Sequence, residues 1–227
     1  MDDDIIANAD AIATTLRLHE TRQWCCVNLN WIYPPALTSQ IQQTSFGRYL
    51  IHYGFTTLKG WNRGNHWDEY DLFATDGITS QYLSMRKQEF DLSGGYNEVF
   101  PHAGFEDYEF AKRLRQQGFA FYIYPQSSLW HNETDRQSIN LWLDRRRRGG
   151  QTRRVAAELG HSEVVLHYPA WKSVLLYTTG ALKPVLLAMI SALPGFLILD
   201  KLKFKLIGLL LAEAIFKGYN QSSDNRP

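Results

Sequence analysis

Carboxylates, paired glycines and a histidine are the residues with most chemistry to offer in this chain, and they fall in four short runs. Asp2, Asp3 and Asp4 stand together just ahead of the apolar pair Ile5 and Ile6. Carboxylates one residue apart at a strand end can share a hard divalent cation through oxygen, and a cation held that way can bridge the phosphates of a nucleotide. The plainer alternative is a solvated acidic terminus. In the second run, Gly94, Gly95, Tyr96, Asn97 and Glu98, the paired glycines permit a tight turn and close backbone approach to a ligand. The third run places Glu106, Asp107 and Glu109 where a helix should begin, so these acids either complement the helix dipole or face a ligand. The fourth is Leu129, Trp130, His131, Asn132 and Glu133, where the histidine is either a metal ligand or an ordinary packing residue.

These runs need elements to position them. The pattern predicts a helix over residues 10–20 and a strand over 24–33 that Pro34 and Pro35 terminate. Residues 36–80 mix aromatics with glycines and polar residues and suit binding loops on a rigid scaffold, with no element assigned. A helix over 106–117 has acids early and Lys112, Arg113 and Arg115 late, and stops at Gly118. Residues 119–124 read as a buried strand ended by Pro125, and residues 128–131 resume an extended path. A further helix is expected over 138–148, with Gly149 and Gly150 marking a joint. The alternation is that of an α/β protein.

Composition narrows the classes. The 227 residues are 44% hydrophobic and 21% charged, enough for a full core. A net charge of +1 argues against nucleic-acid binding through overall charge. The two cysteines, Cys25 and Cys26, are adjacent, a spacing that supports neither a disulfide framework nor a zinc pair. Arg145 to Arg148 with Arg153 and Arg154 put six arginines within ten residues. They precede an apolar tail, so anionic lipid headgroups are their expected neighbours rather than nucleic acid.

The tail is charge-poor: residues 173–199 carry one charged residue, Lys183, and residues 206–216 carry one, Glu213. Residues 184–199 give an uncharged stretch of 16, short of the roughly 20 that an ordinary spanning helix needs. Two short helices in the membrane interface, or a shallow hairpin, are the expectation. The soluble alternative is a helical pair packed on protein. The expected organisation is therefore a catalytic part over 1–137, a basic helix and connector over 138–170, a membrane-associating helical tail over 171–219 and a disordered terminus over 220–227.

Taken in order, the four runs resemble the family 2 glycosyltransferases and the related galactosyltransferase carboxyl-terminal module. That family has an Asp-x-Asp metal motif at a strand end, a Gly-Gly-aromatic-x-Glu segment, a Glu-Asp pair opening a helix that ends in Arg-Leu, and a later histidine. The resemblance covers residues 1–133, and its most specific part is residues 94–114. It implies a GT-A (Rossmann-like) fold, with Asp2 and Asp4 as the outer aspartates of the metal motif and Asp4 the direct ligand. It further implies that His131 completes a Mn²⁺ or Mg²⁺ site, that Asp107 is the general base and that Glu106 positions acceptor or base. Gly94, Gly95, Tyr96 and Glu98 would line the substrate site. The implied reaction is a single in-line displacement with inversion, from a nucleotide-sugar donor to a glycan or lipid-linked acceptor at the cytoplasmic face of a membrane. The family's amino-terminal βαβ half, which carries most of the nucleotide contacts, would precede the Asp-x-Asp. Its absence raises the expectation of a fragment, a misplaced start or an inactive remnant. The competing function is a non-catalytic, membrane-tethered module that binds a glycan or a protein.

Overall fold

The computed structural model describes residues 3–61, 67–68, 70–192 and 197–221. They form two compact units, one of Met1–Ser39, Ile51–Asn97 and Glu106–Thr134, the other of Gln40–Leu50, Glu98–Phe105 and Asp135–Pro227.

The first unit is built on a mixed sheet. Strand β2 (Cys25–Ile32) is buried from Cys25 through Leu29, the run expected of a strand covered on both faces. It pairs in parallel with β5 (Ala120–His131) and antiparallel with β4 (Leu83–Ser84). The far side of β5 takes β3 (Phe73–Ala74) and β1 (Ile5–Ile6), both antiparallel. Pro125 does not end β5. Instead the register against β2 slips between Leu29 and Asn30, whose partners are Tyr124 and Ser128, so three residues bulge out where the proline cannot donate to the ladder.

Helix α1 (Ala9–Glu20) is capped by Asn8, whose Oδ1 accepts the Ala11 N–H at 2.7 Å. It packs on the face of the sheet to which Cys25 points, with His19 3.7 Å from the Cys25 sulfur. Helix α5 (Glu106–Gln116) covers the opposite face, where Phe110, Ala111 and Leu114 meet Cys26, Phe119 and Phe121. Helix α4 (Lys87–Ser93) lies beside it, with Phe90 edge-on to Phe110 at 5.9 Å. The region left without elements in the sequence reading holds two helices, α2 (Pro35–Gln42) and α3 (Ser45–His52). They are only eight residues each, too short for periodicity to reveal.

The second unit is helical. Helix α6 (Ile139–Glu158) runs straight through Gly149 and Gly150, which corrects the joint expected there. The glycine is used for packing: a Cβ on Gly150 would lie 2.5 Å from the Ile215 carbonyl oxygen on α8 (Leu197–Asn220). Gly218 on α8 reciprocates, since a Cβ there would collide with the Arg147 carbonyl. Small residues thus let two backbones touch. Trp142, fully buried, meets Phe46 at 5.4 Å and Tyr49 at 5.9 Å.

The tail forms two helices, but neither is short. Helix α7 (Ala170–Ala192) continues through Lys183 and Pro184, and α8 continues through the charged segment 200–205. Asp200 is bidentate with Arg48 at 2.8 and 2.9 Å, and the Lys203 ammonium donates to Ser45 Oγ at 2.8 Å. Both charges point inward and have partners. Helix α7 is long and apolar enough to cross a membrane, and only 17% of its apolar window is buried. Most of the expected disordered terminus, from residue 222 on, lies outside the described residues.

Candidate functional site

Asp107 sits in the first turn of α5, where free N–H groups and the helix dipole favour a carboxylate. Two donors from distant segments converge on it. The Ser80 N–H donates to Oδ2 at 3.0 Å, and the Tyr96 hydroxyl donates to Oδ1 at 3.2 Å. Each donor is itself held. Buried Asn28 on β2 donates to the carbonyls of Thr79 and Tyr82, both at 2.8 Å, and accepts the Thr79 N–H at 3.2 Å. One side-chain amide thereby replaces a stretch of strand pairing and delivers Ser80 to the carboxylate.

Tyr96 is placed by the glycine turn and by Arg113. Gly94 closes α4 in the left-handed region at φ +80°, and Gly95 follows at φ +63°, where a side chain would be strained. A Cβ on Gly95 would also press the Phe90 ring at 3.1 Å. The Arg113 guanidinium donates to the carbonyls of Ser93 at 3.0 Å and Gly95 at 2.6 Å. It also forks onto buried Glu109 at 2.6 and 3.1 Å. The Tyr96 ring then rests on Phe110, centroids 4.5 Å apart.

Burial, reinforced by the neighbouring Glu106 carboxylate, pushes Asp107 up to about 6, against the pull of the Ser80 and Tyr96 donors. Burial and the Asp107 charge push the Tyr96 phenol up as well, so it remains a donor at neutral pH. Asp107 is half-buried and keeps a path to solvent. A carboxylate ionised at pH 7, titrating near 6 and partly open is equipped to take a proton from a hydroxyl.

The second cluster lies at the carboxyl ends of β2 and β5, where open α/β sheets hold their ligands. Pairing of Ile5 with His131, extended by the Asn132 N–H to the Asp4 carbonyl at 2.8 Å, sets Asp4 beside the histidine. Asp4 Oδ1 is 3.2 Å from His131 Nε2, and Glu133 Oε1 is 3.8 Å from the same nitrogen. The Tyr33 hydroxyl donates to Glu133 Oε2 at 2.9 Å, and Trp31 packs edge-on to the His131 ring at 4.8 Å. One ligand atom from each of Asp4, His131 and Glu133 lies within 4.8 Å of the others. Asp4 Oδ1 and both His131 ring nitrogens are buried without a hydrogen-bond partner. Together with Glu133 they make a donor set of two carboxylates and an imidazole, which fits Mn²⁺ or Mg²⁺.

The chain matches no protein-family model, no curated protein and no solved structure.

Of the residues singled out from sequence, Asp107, Glu106, Gly94, Gly95 and Tyr96 assemble around the head of α5, and Asp4 and His131 meet at the strand ends. Asp3 is exposed, and Asp2 lies outside the described residues. Glu98 is exposed and belongs to the second unit. The two clusters are distinct. Asp107 is held at the level of Asn28, whereas the histidine cluster starts beyond Ile32, four strand residues on, about 13 Å. Strand alternation also turns Trp31 and Tyr33 to the face opposite Asn28. Anything that engages both must lie across the carboxyl edge of β2.

Sequence reasoning missed Glu133, Asn28, Ser80 and the turn-holding role of Arg113. Glu133 had a signal, an acid two residues after the histidine, and so did Asn28, a polar residue inside an apolar run. Ser80 had none, because its backbone N–H does the work.

Proposed function

We propose that this chain carries the acceptor-activating and cation-holding part of an inverting glycosyltransferase of the family 2, GT-A type. Its substrates on this reading are a nucleotide-sugar donor and a glycan or lipid-linked hydroxyl, at the cytoplasmic face of a membrane. The observation that carries the reading is Asp107: the residue to which the resemblance assigns the base is the one that two distant segments hold half-buried at the head of α5, its carboxyl pushed up to about 6.

The chemistry follows from the groups. Asp107 is held through both of its oxygens, which fixes the carboxylate plane for an acceptor hydroxyl. Proton removal as that oxygen attacks the anomeric carbon is general-base catalysis. Asp4, His131 and Glu133 would hold the divalent cation, which when bound offsets charge on the departing nucleoside diphosphate. A donor lying across the carboxyl edge of β2 would present its sugar toward Asp107.

Two measurements test this. Calorimetry with Mn²⁺ alone should give one binding event that His131→Ala and Glu133→Gln each weaken by about tenfold or more. Asp107→Asn should lower nucleoside diphosphate release from nucleotide sugars by about a hundredfold or more. Unaltered turnover in Asp107→Asn removes the base assignment, and Mn²⁺ affinity indifferent to both cluster variants removes the cation site.

A further inference from the structure

The exterior of α7 differs from that of α8. Along α7 the covered positions recur at helical spacing, with Leu176, Thr179 and Ile190 buried and Lys183 half-buried on the same stripe. The opposite stripe, with Trp171, Val174, Leu182, Val185 and Met189, is exposed, and no exposed residue of α7 is charged. Over 23 residues this uncharged face extends about 35 Å. The one charge beyond the first turn is turned away from it. Lys172, at the start, lies over the Tyr168 ring at 5.1 Å, so aromatic and basic groups gather at one end as they do at a lipid headgroup boundary.

Helix α8 behaves otherwise. Its inward charges, Asp200, Lys203 and Glu213, are buried, and Lys201, Lys205 and Lys217 are exposed. The two helices pack antiparallel: Tyr177 meets Phe216 at 5.1 Å, and one turn on Gly180 leaves room for the Glu213 carboxylate, which a Cβ there would approach to 3.0 Å. A helix docked along a neighbour with three exposed lysines is not free to cross a bilayer, because the lysines would cross with it. A protein partner would be expected to meet a polar rim around an apolar centre. The exposed face of α7 has no charged residue, which fits a lipid surface better.

We propose that the outward stripe of α7, centred on Leu182 and Val185, lies in the plane of an anionic lipid surface as a monotopic anchor, while α8 remains outside the hydrocarbon. Exposed Lys201, Lys205 and Lys217 face anionic headgroups in this arrangement, and the apolar stripe supplies the driving force. The inference rests on the membrane part of the functional reading and not on its transfer chemistry.

The full chain should co-sediment with mixed phosphatidylcholine and phosphatidylglycerol vesicles. Leu182→Glu with Val185→Glu should lower the bound fraction by about tenfold or more, and so, less steeply, should Leu182→Ser with Val185→Ser, with circular dichroism confirming that each is folded. Lys183→Gln should bind like the parent. An environment-sensitive dye on Val185→Cys should shift to the blue on vesicle addition, and the same dye on Lys205→Cys should not; Cys25 and Cys26 are buried and leave the labelling selective. Blue shifts at both positions would mean that the pair inserts as a spanning hairpin and would overturn the proposal. So would binding indifferent to the stripe variants, or a lipid-free dimer that the Val185 substitution dissolves. Asp107→Asn should bind vesicles normally, so loss of the transfer reading and loss of this one are separately visible.

Discussion

Replacing Asp107 by Asn should make the protein more stable at neutral pH while lowering the proposed transfer activity by about a hundredfold or more. The carboxyl titrates near 6 in the fold, against 3.8 for an unperturbed aspartate, a difference of roughly two pH units at about 1.4 kcal/mol each, hence at most about 3 kcal/mol. Partial exposure reduces the expected effect to about 1–2 kcal/mol. The sign follows from proton binding. Between the two titration points the folded chain holds a proton that the unfolded chain has released, so the contribution of Asp107 is fully present below about pH 4 and lost as pH rises through about 6. Asn cannot titrate. Its amide oxygen can accept the Ser80 N–H, and its NH₂ can donate to the Tyr96 oxygen, so both contacts survive with the phenol's role reversed. Urea unfolding of both proteins from about pH 4 to about pH 8 is the assay. The advantage of the variant should grow through that interval and level off above about pH 7, while parent turnover should rise with an apparent pKa near 6. A stability difference constant over the whole interval would refute the burial argument, and turnover in the variant close to the parent's would refute the catalytic one.

Arg113→Ala should destabilise the first unit by about 3 kcal/mol, because Glu109 would be left buried and unpaired and the glycine turn would lose its donors; Arg113→Lys should recover only part of this in the same unfolding measurement, since a point charge cannot reproduce the fork. Gly218→Ala should lower the melting temperature by several degrees through collision with the Arg147 carbonyl, a loss of about 2 kcal/mol, whereas Gly208→Ala, in open space on the same helix, should not. The thiols should resist a disulfide-exchange reagent until denaturant is added: burial, with the neighbouring Cys25, pushes Cys26 up to about 12, and burial also raises Cys25, whose sulfur faces His19 Nδ1 at 3.7 Å. Rapid labelling of the native chain would contradict both.

Much of the scaffold was legible because its signals are local. The acids and bases at the two ends of α5, the apolar run of β2 and the glycine after the helix mark elements without reference to anything distant. The glycines in α6 misled, and the charges in α8 stayed silent, for the converse reason. Gly149 and Gly150 read as a joint, and only the approach of α8 to within a methyl group of Gly150 reveals why glycine is there. Asp200 and Lys203 carry no local sign of being buried, since their partners, Arg48 and Ser45, lie about 150 residues away. At the candidate site the same division holds. Asp107 and His131 were recognised as types in order, whereas Ser80 contributes a backbone group that no side-chain motif encodes.

The slip in β5 decides which way the histidine looks. Before it, Phe121 is level with Cys26 and shares the α5 side of the sheet; after it, Leu129 is level with Trp31 and faces the other side. Three extra residues are an odd number, so the slip inverts the phase of the alternation. A strand with two residues there, or four, would send His131 away from Trp31, Tyr33 and Asp4, with every side chain downstream unchanged in identity. Length changes between Tyr124 and Ser128 should therefore be tolerated only in steps of two, and single insertions or deletions should dismantle the cluster while leaving α5 and Asp107 in place.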